Sequence, residues 1–118
     1  MDLIRIYLHL LVYYKNKILK MTKQKEFEQA VIENDIETVK ELLKDSEVDP
    51  ADDDIGYASG NGYIEIVKLL LDDDRVDPSD RDNYAIRCAS ENGHVEVVRL
   101  LLNDDRVDPS NRDNYAIR

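Results

Sequence analysis

The stretch "NYAIRCASENGHVEVVRLLLNDDRVDPS", residues 83–110, decides how this chain folds. Two helical patterns flank Gly93. The first, Tyr84 to about Asn92, turns Ile86 and Ala89 to one side. The second, Val95 to about Asn103, aligns Val95, Val98, Leu101 and Leu102 on one face, with Val97 and Leu100 as a second apolar flank. A helix apolar on two sides needs a neighbour on each. Gly93 suits the left-handed position that ends a helix. Pro109 bars the second helix from continuing.

The same phrase occurs three times. Residues 58–87 align with 89–118 at a shift of 31, matching Leu69-Leu70-Leu71 to Leu100-Leu101-Leu102 and Arg75-Val76-Asp77-Pro78 to Arg106-Val107-Asp108-Pro109. A more diverged copy lies 28 residues upstream, where Ala30, Ile36, Val39, Leu42-Leu43 and Val48-Asp49-Pro50 match Ala58, Ile64, Val67, Leu70-Leu71 and Val76-Asp77-Pro78. The deleted residues fall between Pro50 and Ile55, in a loop, where shortening costs least. Asn34 stands where Gly62 and Gly93 stand, and Asn is the next most tolerant residue of a left-handed backbone. Thr38 and Glu41 replace the apolar Ile66 and Leu69 of the second copy and Val97 and Leu100 of the third, which marks an N-terminal cap with nothing stacked before it.

With Ala89, Gly93, His94, Val98, Leu101 and Leu102 in these places, the unit resembles the ankyrin repeat. The resemblance implies an all-α fold, a helix-turn-helix repeat solenoid (an α-α superhelix) with loop or β-hairpin-like connections. Tyr84-Ala85-Ile86-Arg87 and Tyr115-Ala116-Ile117-Arg118 replace the family's usual Thr-Pro-Leu-His opening. The unit is also shorter than the common period of about 33 residues. The "NDDRVDPS" and "DNYAIR" phrasing is similar to ankyrin proteins of giant amoeba-infecting DNA viruses.

The expected organisation is a leader over 1–20 and a repeat domain over 21–118, with repeats at about 25–50, 51–78 and 79–109 and a truncated fourth at about 110–118. Met21 opens a sensible alternative start. The incomplete fourth unit predicts either that the stack continues in a longer protein or that an apolar end is left open to association; the chain is otherwise expected to be a monomer.

The formal net charge is −10, but residues 1–20 carry +3 and leave −13 for the rest. So acidic a body repels nucleic acid and anionic membrane. Cys88 is the only cysteine and no Asn-x-Ser/Thr sequon occurs, which leans towards an intracellular, cytoplasmic setting. "LIRIYLHLLVYY", residues 3–14, is apolar nearly all round and is followed by basic "KNKILK". It is too short to span a bilayer, and its charge order is the reverse of a secretory signal. Three readings stay open for it: an extra helix on the domain, a leader outside the folded unit, which is favoured, and an interfacial membrane helix.

Catalytic and metal chemistry find no constellation. An EF-hand register from Asp80 puts Ala85 where Gly is needed, and one from Asp52 puts Tyr63 where a carboxylate is needed. The acidic runs read as solvated loop and helix-end carboxylates, with Arg75 relieving Asp72-Asp73-Asp74 at a helix C-terminus. His94 reads as structural, His9 lies in the leader, and Cys88 reads as a partly buried small residue. Gly56, Gly60, Gly62 and Gly93 form no phosphate loop. No enzyme, cofactor or metal is therefore expected. The resemblance implies a non-enzymatic protein-binding module whose concave face carries Tyr57 and Asn61 of repeat two, with Gly56 and Gly60 beside a notch left by the shortened loop. From repeat three it adds Arg81, Asp82, Asn83, Arg87, Cys88, Glu91 and Asn92, continued by Arg112 and Asn114. Two alternatives remain: a membrane-tethered adaptor anchored by residues 3–20, and a fragment of a longer repeat protein with no function of its own.

Overall fold

The computed structural model describes residues 2–107, without the side chain of Asp82. Among the described residues six helices follow in order: α1 Leu3–Ile32, α2 Ile36–Leu43, α3 Asp52–Gly60, α4 Ile64–Leu71, α5 Asp80–Glu91 and α6 Val95–Leu102. They pair as α1/α2, α3/α4 and α5/α6. The first members of the pairs stack in one layer and the second members in another. No strand occurs among the described residues, so turns and loops make the connections.

Each pair is joined by the same tight turn. Asn34, Gly62 and Gly93 have φ of 57°, 74° and 75°. At each, the left-handed residue donates its N–H to one carbonyl of the preceding helix and the next residue donates to the carbonyl before that. Gly62 reaches Ser59 at 3.2 Å and Tyr63 reaches Ala58 at 2.9 Å, while Gly93 reaches Ser90 at 3.2 Å and His94 reaches Ala89 at 2.9 Å. This satisfies carbonyls that the helix end would leave orphaned.

The core runs along the stack as rows of equivalent residues. Phe27, Ile55 and Ile86 make one row, Ala30, Ala58 and Ala89 a second, and Val39, Val67 and Val98 a third; all are buried except Val98, which is half-buried. Alanines in the second row let the first helices approach closely. Ile66 and Val97 are buried where Thr38 is only half-buried. Thr38 donates its hydroxyl to Asp35 at 2.7 Å and its N–H to the same carboxylate at 3.3 Å, so Asp35 caps α2.

Between the pairs lies a polar contact. Asp73 accepts from Arg75 Nε at 2.9 Å and Nη2 at 2.7 Å, which fixes the guanidinium in one orientation. The remaining donors cross to the preceding repeat. Nη2 reaches the Leu43 carbonyl at 2.9 Å, and Nη1 reaches those of Asp45, at 3.2 Å, and Val48. All five N–H donors of an arginine are thus engaged. Arg106 repeats the device one unit on, held by Asp104 at 2.9 and 2.8 Å and donating to the carbonyls of Leu71, at 2.9 Å, and Val76. Glu47 occupies the corresponding place in the first unit. There, Lys23 pairs with Asp45 at 2.9 Å, and Gln24 exchanges hydrogen bonds with the backbone of Asp49 at 2.9 and 2.8 Å.

Replacing Arg75 with Ala strands carbonyls of the preceding helix end and should lower stability by about 2 kcal/mol. For a domain of this size the melting midpoint should fall by about 10 °C. Arg75→Lys should recover less than half of that, because one ammonium cannot serve a carboxylate and three carbonyls together. Thermal denaturation of the three proteins checks both statements.

Candidate partner-binding face

The face expected to meet a partner is built from α3, α5 and the loops that lead into them. Gly56 and Gly60 lie on the side of α3 against which α5 packs. A Cβ on Gly56 would collide with the ring of Tyr84, and one on Gly60 would sit 3.3 Å from Cβ of Cys88. Only a bare backbone admits such an approach. The notch expected beside the shortened loop is therefore filled, because Tyr84 of the next repeat lies in it.

Around that ring sits a cationic cluster. The Arg81 guanidinium lies 5.1 Å from the Tyr84 ring centroid and that of Arg87 lies 5.9 Å from it. Arg81 pairs with Asp53 across the repeat boundary, and Arg87 donates to the Arg81 carbonyl at 3.0 Å. Arg81 is exposed while Tyr84 and Arg87 are half-buried. The ring and both arginines thus form one ordered patch on a chain that is otherwise strongly acidic.

The remaining expected residues separate into distinct roles. Tyr57 is 40% exposed and stands edge-on to Tyr63 with centroids 6.2 Å apart. Glu91 is exposed, and Cys88 is half-buried against Gly60. Asn61 and Asn92 are exposed but structurally engaged. Each donates its side-chain amide to a carbonyl four residues back, Tyr57 at 2.8 Å and Cys88 at 2.9 Å. Asn83 departs from the expectation: it is 1% exposed and has φ of 62°. Helix α5 starts at Asp80, earlier than the expected Tyr84, and its first turn is irregular, with Arg81 also left-handed at φ of 54°. That turn takes Asn83 inward, where a short amide tolerates the backbone. The Asp82 side chain, Arg112 and Asn114 lie outside the described residues.

The acidic runs do not converge on a cation, and no group of three or more metal-ligating side chains occurs among the described residues. Asp52 and Asp53 open α3, where negative charge favours the helix dipole. Asp54 differs from the solvated carboxylate expected there. It is 8% exposed and accepts the Ala51 N–H at 2.7 Å. Burial raises its pKa to about 6 against the pull of that hydrogen bond, with the carboxylates of Glu28, Asp53 and Asp49 adding to the rise. Repeat three has buried Ala85 in the corresponding place.

Three features of this region escape sequence reasoning. The arginine pins, the Tyr84 ring in its glycine seat and the burial of Asp54 each depend on the neighbouring repeat. One signal was nevertheless present: Arg75 and Arg106 recur in register, and the cap unit has Glu47 instead.

A carboxyl whose folded pKa is raised contributes stability at low pH that is lost as pH rises through the folded value. Asp54→Asn keeps an acceptor for Ala51 and removes the buried charge. It should melt about 5 °C above the wild type at about pH 7.5. The difference should vanish by about pH 4, near the ordinary carboxyl range. Melting curves of both proteins across that interval test the sign.

A family model described as ankyrin repeats (3 copies) matches residues 27–113. No curated protein and no solved structure matches the chain.

Proposed function

The chain belongs to the ankyrin repeat family, and from that premise we propose that it is a non-enzymatic module that binds a partner protein through the α3/α5 face. Members of this family are typically non-catalytic binding domains. The observation that carries the reading is the arginine–tyrosine–arginine cluster of Arg81, Tyr84 and Arg87, with exposed Tyr57 on the adjoining helix. Tyr and Arg dominate interface hot spots because they combine large contact area with directional bonding. Here they are already ordered by ring stacking and inter-repeat pairing, so a partner meets a preformed surface with little ordering cost. Because Arg81 is already paired with Asp53, the patch favours a partner segment that offers hydrogen-bond acceptors beside an apolar or aromatic side chain.

Site-specific photocrosslinking tests the proposal. A photoreactive residue at Tyr57 or Glu91 should give a discrete protein adduct in cells, and one at exposed Glu65 on α4 should not. Adding Arg81→Glu and Arg87→Glu should weaken binding of the captured protein at least tenfold, about 1.4 kcal/mol. Equal adducts from Glu65, or an affinity indifferent to the two reversals, would move the interface elsewhere.

A further inference from the structure

Helix α1 does not stop at the repeat. It runs unbroken from Leu3 to Ile32, and of its side chains only Phe27, Ala30 and Val31 are buried. Every residue from Asp2 to Thr22 is exposed. Thirteen apolar or aromatic side chains between Leu3 and Met21 are 44–72% exposed. So long an apolar surface marks an interaction site rather than a solvated face.

Polar residues are few in this segment, and five of them fall in a line. Asp2, Arg5, His9, Asn16 and Lys20 follow at steps of three, four, seven and four, which places them on one side of the helix. The next steps along the line are Phe27 and Val31, the residues that dock α1 onto the repeats. The polar stripe and the repeat body therefore share one side of α1. An open cleft between this side and the body is lined by Asn16, Lys20 and Gln24 of the stripe, with Tyr13, Lys17 and Met21 beside them. The opposite sides carry the apolar residues, with Lys15 and Lys17 at the flanks.

We propose that residues 3–21 lie in the plane of an anionic lipid surface, apolar sides down, and hold the repeats on the aqueous side. No helix among the described residues is long and apolar enough to cross a membrane, and an in-plane helix has no need to be. Arg5 and His9, which interrupt the apolar run, belong to the stripe that faces water. Lys15 and Lys17 can extend their stems along the apolar flanks to bring ammonium groups to lipid phosphates and carboxylates. Tyr7 and Tyr14 suit the headgroup boundary, where one end of the ring is apolar and the other wet. The overall acidity is no obstacle in this orientation. A helix about 10 Å thick separates lipid from body, more than the Debye length of about 8 Å at physiological salt. A second copy of the chain fits less well, because a two-stranded coiled coil covers one stripe of each helix. Here apolar residues surround the helix on every side except the polar line.

The chain contains no tryptophan, so a single introduced one reports its own surroundings. Vesicles of equimolar phosphatidylcholine and phosphatidylserine should bind the full chain, and pure phosphatidylcholine vesicles should bind it at least tenfold more weakly. With the mixed vesicles, Leu11→Trp should shift its emission to the blue and be quenched by brominated lipid, while Asn16→Trp should change little. The pair Leu8→Glu and Leu11→Glu should abolish vesicle binding and leave the melting of the repeats unchanged, since both side chains lie outside the core. Absence of vesicle binding would overturn the proposal, whether the chain stays a monomer or forms an oligomer dispersed by the glutamate pair. Equal quenching of both tryptophans would overturn it too.

Discussion

A paired first and second helix in this chain cannot bury both its apolar flanks alone, so each unit depends on how firmly the next is fixed to it. The fixing is done at one point in particular. Arg75 and Arg106 reach back to the carbonyl groups where the preceding helix ends, and each is aimed by an aspartate two residues before it. Hydrophobic rows supply most of the attraction, but they are non-directional. The guanidinium sets register, because its donors match carbonyls only when the units are correctly spaced. Both the stacked core and the ordered α3/α5 face follow from that spacing.

Much of the fold was legible in the residues. The turns at Asn34, Gly62 and Gly93 announced themselves because left-handed backbone admits few residue types. The helical intervals followed from apolar periodicity, and α6 ends within one residue of its expected limit. Thr38 and Glu41 marked the first repeat as the end of the stack because apolar residues fill their places in both later units. The true extent of α1 was not visible in that way. The apolar and then basic composition of residues 1–20 suggested a leader ending before Met21, yet no glycine or proline occurs between Leu3 and Ile32 to end a helix. Composition marked where the burial changes, and helix continuity was decided by something else.

The burial of the residues expected on the concave face was not legible, for physical reasons. Family resemblance named residues along α3 and α5, but burial there is decided across the repeat boundary. The ring of Tyr84 covers Gly56, and the irregular start of α5 hides Asn83. The arginine pins were missed for a related reason. Their acceptors are backbone carbonyls, which every residue possesses, so no partner residue recurs to betray the contact. Asp54 looked like its neighbours Asp52 and Asp53, and only the turn of α3 distinguishes the one that points inward.

Native-state hydrogen exchange tests the role of the arginines most directly, because it reads the opening of each unit separately. If they couple the repeats, the buried amides of Val39 in α2 and Val67 in α4 exchange with one opening free energy and one denaturant dependence. In the Arg75→Lys protein the two should part, with Val39 opening at lower free energy together with the rest of α2. Separate opening of Val39 and Val67 already in the wild type, or their continued coincidence in Arg75→Lys, would contradict the coupling.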